Sequence, residues 1–273
     1  MTQWPNRVVL VGAGKMGGAM ASGWLEAGLA ASSLAILEPD PSAEVATLAS
    51  ACGAALNPEI AALAPPDVLA LAVKPQSFGP VAAQMAPLAG KGTLVLSILA
   101  GTTIANLRAR LPQARAFVRA MPNTPAAIRR GVTAAFANSE VNAGQRRWSE
   151  SLFGAVGSFY WLEDETAIDA VTAISGSGPA YVFALTEALA AAAERLGLAA
   201  DLSMRLARGT VEGAGELMRR ESAAAPATLR RNVTSPGGTT AAALAVLQGA
   251  GGLDDLMTRA AAAARARAAE LAG

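Results

Sequence analysis

The chain has 273 residues, which at the usual domain size corresponds to about two domains. With 52% hydrophobic and 16% charged residues it excludes a disordered polypeptide, and with 4% aromatic residues its core has to be built from Ala, Val, Leu and Ile. A net charge of +1, from 22 Lys and Arg against 21 Asp and Glu, excludes an electrostatic footprint for nucleic acid or a membrane surface.

Short apolar runs at Val8–Val11, Leu34–Leu37, Val68–Val73 and Leu94–Leu99 predict buried parallel strands, and Ala116–Val118 predicts a fifth. Val132–Ala137 and Ser158–Leu162 extend the same sheet. Helical stretches lie between the first strands, most clearly Met16–Ala27, which stops at Gly28. This alternation predicts an α/β fold with a Rossmann-type doubly wound sheet and right-handed crossovers. From about Thr166 the strand signals vanish. Pro179–Leu196 reads as a helix closed by Gly197, Asp201 caps a second running to about Arg220, a third follows Gly238, and Asp254 or Asp255 opens a fourth. The expected division is a dinucleotide-binding domain over 1–165 and an all-helical domain over 166–273. About a hundred Ala- and Gly-rich residues are marginal for a self-sufficient core, so the second domain is expected to complete its core against a second subunit.

Two absences narrow the chemistry. The chain has no histidine, which removes Ser-His-Asp hydrolysis and every imidazole-based acid–base scheme. Its one cysteine, Cys52, excludes an internal disulfide and a cysteine-cluster metal site, so no metal is expected. The Ala-rich surroundings of Cys52 read as those of a small buried apolar side chain. The run Val8–Val11 is interrupted by Gly12, Gly14 and Lys15 too early for a signal peptide, and the apolar stretch 93–104 is too short for a bilayer. A cytoplasmic protein is expected.

Gly12-Ala13-Gly14-Lys15-Met16-Gly17 follows the first strand and opens the first helix. Gly12 suits a tight turn, Gly14 lets the backbone approach a pyrophosphate, and Gly17 lets helix and strand touch, while the helix N-terminus offers amides to the anion. The alternative is a tight turn with no ligand. Glu38, at the end of the second strand, is placed to accept hydrogen bonds from ribose hydroxyls and to repel a 2′-phosphate, which favours NADH; a solvated glutamate is the other reading. Further unusual sequences close the later strands: Ala72-Val73-Lys74-Pro75, Ser97-Ile98-Leu99-Ala100-Gly101 and Arg119-Ala120-Met121-Pro122-Asn123-Thr124-Pro125. Their common location predicts one crevice. In the helical part, Ser175-Gly176-Ser177-Gly178-Pro179-Ala180-Tyr181 and Thr234-Ser235-Pro236-Gly237-Gly238-Thr239-Thr240 each lead into a helix, and together they suggest a carboxylate-binding site.

On these motifs the chain resembles the pyrroline-5-carboxylate reductases along nearly its whole length. The resemblance implies a Rossmann domain followed by a helical dimerisation domain, reduction of 1-pyrroline-5-carboxylate to L-proline with NADPH or NADH, and dimers that in many members assemble into decamers. It implies cofactor contacts at Gly12, Ala13, Gly14, Lys15, Met16, Gly17, Asn57, Ala72, Val73, Lys74, Pro75, Ile98, Leu99, Ala100 and Asn232. Substrate contacts follow at Glu165, Thr172, Ser235, Gly237, Gly238, Thr239 and Thr240, with the site completed across the dimer interface. The chain departs from the family pattern at Glu38, where many members carry a small hydroxyl residue; this bears on the coenzyme and leaves the reaction unaffected.

The missing histidine fits this reaction. A ketone reduction needs a proton donor for the alkoxide, whereas a protonated cyclic imine needs only hydride at carbon, so catalysis can rest on positioning. The Thr240 hydroxyl is the expected partner of the ring nitrogen, and Lys74 is the alternative acid. Among rivals, a 3-hydroxyacid dehydrogenase would use a lysine on the helical domain, yet no lysine occurs after Lys91. Histidine-dependent 2-hydroxyacid dehydrogenases fail outright. A non-catalytic dinucleotide sensor would not need the two anion-binding loops of the helical domain.

Overall fold

A computed structural model of the chain describes residues 3–272; positions 1, 2 and 273, at the outer ends of the two expected domains, lie outside the described residues. The chain divides into two compact units, one formed by residues up to 177 together with those from 264 onward, the other by residues 178–263.

The first unit holds strands β1 (Val8–Val11), β2 (Leu34–Leu37), β3 (Ala55–Leu56), β4 (Val68–Leu71), β5 (Leu94–Ser97), β6 (Ala116–Met121), β7 (Gly131–Ala137) and β8 (Gly157–Trp161). They form one sheet in the order β3-β2-β1-β4-β5-β6-β7-β8. Helices α1 (Lys15–Glu26), α2 (Ala43–Cys52), α3 (Phe78–Met85), α4 (Ile104–Arg110) and α5 (Ala143–Gly154) connect the strands. The runs read as strands are unbroken in apolarity because both faces of the sheet are covered. Val8 and Leu10 belong to one core layer with Met20, Trp24 and Phe153, while Val9 and Val11 belong to another with Phe78, Met85 and Leu107. The core is not wholly aliphatic: Trp24, Phe117 and Phe153 are fully buried, and the Trp24 indole donates to the Leu152 carbonyl at 2.8 Å.

The expected doubly wound sheet is present, with differences in detail. β4 and β5 stop at Leu71 and Ser97 rather than at Val73 and Leu99, because the following residues leave the sheet as loops. The two-residue β3 has too little apolar pattern to be read from the sequence. β7 runs antiparallel to β6, since the connection between Met121 and Gly131 is shorter than a parallel crossover requires. Cys52 is exposed at the end of α2, not buried, because that helix turns its Val45 and Ala49 side to the sheet.

The second unit contains α7 (Gly178–Arg195), α8 (Ala200–Arg220), α9 (Pro226–Asn232), α10 (Thr239–Leu247) and the start of α11 (Leu253–Ala272). Four of these follow the expected pattern, and α9 was not expected; it starts with Pro226 at its first position. Asp201 does not cap α8. Ala199 is the capping position, and Asp201 pairs with Arg205 at 2.8 Å on the surface. Further along α8, hydrogen bonds from Arg219 and Arg220 hold the Glu216 carboxyl down to about 2. Among the described residues of this unit only Ala190, Ser203 and Ala207 are buried in the single chain. Large apolar side chains remain exposed instead, among them Phe183, Leu185, Leu206, Met218, Val246 and Leu256. The continuous helical run 167–195 is long and apolar enough to cross a membrane by length and composition, a property the sequence reading did not flag.

In the first unit, the carboxyl end of β6 is tied to the helical residues that follow β8. The guanidinium of Arg119, 4% exposed, sits 3.1 Å from Glu165 and 3.6 Å from Asp169 of helix α6 (Ala167–Val171). Its Nε has no hydrogen-bond partner, so those two carboxylates carry the compensation for its burial. Asn123 donates to the Ser175 carbonyl at 2.9 Å and accepts from the Val132 amide at 2.8 Å. Ser175 lies in a π-helical turn over Thr172–Gly176. Replacing Arg119 by Met removes the cation and keeps the length of the side chain. Because Glu165 and Asp169 stay 25% and 21% exposed, the expected loss of stability is about 2–3 kcal/mol, below the range for a fully enclosed pair. Urea unfolding followed by circular dichroism measures it, and a loss under about 1 kcal/mol would class the cluster with ordinary surface pairs.

Candidate active site

The strands of the first unit are registered so that their carboxyl ends fall at one level. Val11 pairs with Leu37 on one side and Leu71 on the other, and Leu71 pairs with Ser97. The ladder then continues one step past the strands. The Gly12 amide donates to Leu37 at 2.8 Å, the Ala72 amide to Val11 at 2.8 Å, and the Ile98 amide to Leu71 at 3.0 Å. Glu38, Gly12, Ala72 and Ile98 therefore stand in a row, neighbours separated by about 4.8 Å. Strand order reverses between β1 and β4, the place where doubly wound sheets open a crevice. The expected cofactor residues of this unit, from Gly12–Gly17 through Glu38, Asn57, Ala72–Pro75 and Ile98–Ala100, are gathered at that edge.

The glycine loop has the shape that a dinucleotide requires. Gly12 has φ +90°, and a Cβ there would come within 2.7 Å of the Ala72 carbonyl oxygen. A Cβ on Gly17 would run into the Gly12 carbonyl. Gly14, by contrast, has nothing within 4 Å of where a Cβ would stand, so its outer side is open to a ligand. Gly14 is also the N-cap of α1, with no side-chain cap and no acidic residue in the first turn. The first amides of α1 thus lack intrahelical acceptors and have no competing carboxylate on their own helix. These residues fit a bound pyrophosphate.

Glu38 is more tightly held than its position alone suggests. Its carboxylate accepts from the Ala13 amide of the glycine loop at 2.8 Å and from the Asp40 amide at 3.2 Å. Its backbone is held by Asn57, whose side chain accepts from the Glu38 amide at 2.8 Å and donates to the Glu38 carbonyl at 2.9 Å. Lys74 is exposed and starts a short 3₁₀ turn over Pro75–Ser77.

Two of the expected substrate residues lie in the first unit. Glu165 accepts from the Ile104 amide at the start of α4, at 2.8 Å, as well as from Arg119. This brings it beside the loop that follows Ile98–Ala100, where a shallow cavity is lined by Ile104, Ala105, Arg108, Ala109 and Glu165. Thr172 opens the π-helical turn and donates its hydroxyl to Ile168 at 2.8 Å; such turns are frequent at functional sites. Asn232, Ser235, Gly237, Gly238, Thr239 and Thr240 lie in the second unit. There Gly237 has φ +69°, the Gly238 amide closes a turn on Ser235 at 3.0 Å, and Gly238 caps α10 with no side-chain hydrogen bond. The first amides of α10 are therefore free for an anion. Arg119 and Asn123 were noticed only as members of a strand-end motif. A charged residue inside the apolar strand Ala116–Met121 was the signal for the role of Arg119, and nothing in the spacing named its partners.

The family model for pyrroline-5-carboxylate reductase dimerisation matches residues 165–271. The model described as NADP oxidoreductase, coenzyme F420-dependent, matches residues 7–101, the part containing the glycine loop and the first five strands. The pyrroline-5-carboxylate reductase of Pseudomonas aeruginosa is 41% identical over 97% of both chains. The solved structure of a pyrroline-5-carboxylate reductase from Coxiella burnetii superposes with a TM-score of 0.91 at 34% identity, covering 99% of this chain and all of the other. The Plasmodium falciparum pyrroline carboxylate reductase, solved with NADP bound, gives 0.81 at 28% identity over 98% of each chain. The likeness spans both compact units at an identity that fold alone does not produce, and on that ground the chain belongs to the pyrroline-5-carboxylate reductase family.

Proposed function

We propose that the chain reduces the C=N bond of 1-pyrroline-5-carboxylate to give L-proline, the last step in making that amino acid, using a nicotinamide dinucleotide. The observation that carries the reading is the row of strand ends, where a ligand-facing glycine loop and uncapped α1 amides meet Glu38, Ala72 and Ile98 at the sheet's switch point. Membership of the family supplies the substrate class.

In this reading the first amides of α1, beyond Gly14, take the pyrophosphate while the rest of Gly12–Gly17 lets it approach, Glu38 and Asn57 border the adenosine ribose, and Ala72–Pro75, Ile98–Ala100 and Asn232 complete the dinucleotide site. When bound, the reduced nicotinamide supplies the hydride that adds to the imine carbon. The α10 amides beyond Ser235, Gly237 and Gly238 hold the substrate carboxylate by charge-assisted hydrogen bonds. Glu165 and Thr172 belong to the substrate site, and the negative charge of the Glu165 carboxylate near a cationic imine favours the form that accepts hydride. The Thr240 hydroxyl is the hydrogen-bond partner of the ring nitrogen. Positioning does the catalytic work, since the protonated imine already carries the proton its product needs. Glu38 favours NADH over NADPH, because a 2′-phosphate would face its carboxylate.

We further propose the functional division at residue 165, the dinucleotide side before it and the dimerisation and substrate side after it. The exposed apolar side chains of α7, α8, α10 and α11 then belong to a subunit interface and not to lipid, and so does the apolar character of the run 167–195. The exposed Cys52 suits a reducing compartment such as the cytoplasm.

The direct test follows NADH and NADPH absorbance with pyrroline-5-carboxylate and, in reverse, with 3-hydroxy acids. Turnover of the imine with a lower KM for NADH is expected; oxidation of 3-hydroxy acids alone would overturn the reading. Thr240→Ala is expected to lower kcat/KM roughly ten- to a few-hundred-fold, about 1.4–3.5 kcal/mol for one bond to a charged group, and unaltered kinetics would remove Thr240 from the site. Light scattering without detergent is expected to give a mass of two subunits or a multiple of that, up to a decamer; a monomer would refute the interface.

A further inference from the structure

Within the dinucleotide site just proposed, on which this inference rests, we infer that Asn57 is a positioning residue: it sets Glu38 against the glycine loop and so determines how the chain discriminates between NADH and NADPH. The supporting geometry is a chain of four contacts. The Asn57 amide donates to the Ile36 carbonyl at 2.7 Å, which extends the β2–β3 pairing by one step. Asn57 then turns into the left-handed region at φ +50°, a conformation that asparagine tolerates better than most residues. In that conformation its side-chain amide meets both backbone groups of Glu38, at 2.8 and 2.9 Å. With its backbone held at both polar groups, Glu38 keeps only side-chain freedom, and its carboxylate rests on the Ala13 amide at 2.8 Å.

The chemical consequence is a fixed anion on a donor of the phosphate-binding loop. Ribose hydroxyls can donate to the remaining lone pairs of that carboxylate, which stays bonded to Ala13. A 2′-phosphate is mostly dianionic at neutral pH, so it brings acceptors where ribose hydroxyls bring donors, and it competes for the same amide. The neighbouring Asp40 and Glu44 add negative charge, and residues 39–44 contain no lysine or arginine to offset it. Discrimination therefore depends on the carboxylate being held in place, since a mobile glutamate could swing out to solvent and admit the phosphate. Both polar atoms of the Asn57 side chain bond Glu38, one as acceptor and one as donor, and those two bonds account for its place at the site without a direct contact to the dinucleotide.

The test uses the full-length chain and titrates NADH and NADPH by nicotinamide fluorescence, with no imine present. Asn57→Gly keeps the left-handed backbone without strain and removes both side-chain bonds; Asn57→Asp keeps the acceptor for the Glu38 amide and loses the donor. Asn57→Gly is expected to weaken NADH about 5- to 20-fold while NADPH is unchanged or tighter, so that the preference falls by about fivefold or more. Asn57→Asp is expected to fall between the two. In turnover the change appears in KM for NADH and not in kcat. In a Glu38→Ser background the same Asn57→Gly substitution is expected to shift the preference less than twofold, because the group it positions is gone. Equal weakening of both dinucleotides would show a direct or merely structural role and overturn the inference, as would full additivity with Glu38→Ser. Failure of the unaltered chain to bind either dinucleotide would overturn the reading of the site itself. Binding with no turnover of the imine would instead refute the reductase reading and leave the binding comparison to decide the role of Asn57.

Discussion

Registered parallel pairing of β2, β1, β4 and β5 sets the position of everything else at the candidate site, because all four strands end at one level. Parallel strands point their free ends the same way, and each loop that leaves them starts from the same plane. The row of Glu38, Gly12, Ala72 and Ile98 is a direct product of that pairing, as the shared backbone hydrogen bonds one step beyond the strands demonstrate. Burial enforces it. β1, β2, β4 and β5 have every residue buried, and a slip of one residue would exchange the side chains packed in the two core layers and leave both misfitted.

Around this edge the chain works with backbone amides more than with titrating side chains. The N-termini of α1 and α10 both lack side-chain caps, and in each case a glycine is the capping residue. An uncapped helix start costs some stability, and that unmet demand for an acceptor is what makes the amides ready for an anion. Three other helices are capped by side chains: Ser42, Thr103 and Asn142 each accept from an amide of the first turn of α2, α4 and α5. Helices α3, α6, α8 and α9 also lack a side-chain cap, but none of them has glycine at the capping position, so α1 and α10 stand apart by combining a bare backbone at the cap with free amides.

Much of this was legible in the sequence. The glycine loop could be assigned residue by residue because each glycine answers a distinct steric demand, and the structure meets those demands at Gly12, Gly14 and Gly17. The apolar runs were legible because buried parallel strands leave no polar alternation to confuse them. What escaped were features made by partners far apart in the chain. The hold of Asn57 on Glu38 spans 19 residues, and that of Arg119 on Glu165 spans 46. Neither leaves a local pattern. The exposed Cys52 was misread for a related reason, since an Ala-rich helix of weak amphipathicity does not announce which side faces the sheet.

The amino-acid sequence by itself determined the class of fold, every strand but the two-residue β3, the glycine loop between β1 and α1, and the exclusion of imidazole chemistry. These depend on residue type and short-range spacing, which the chain carries explicitly. The tertiary structure alone decided that β7 reverses direction, that Arg119 is enclosed with two carboxylates, and that the carboxylate of Glu38 lies on the amide of Ala13. Each of those outcomes depends on which distant groups share one small volume, and that is fixed only when the whole sheet has closed its core.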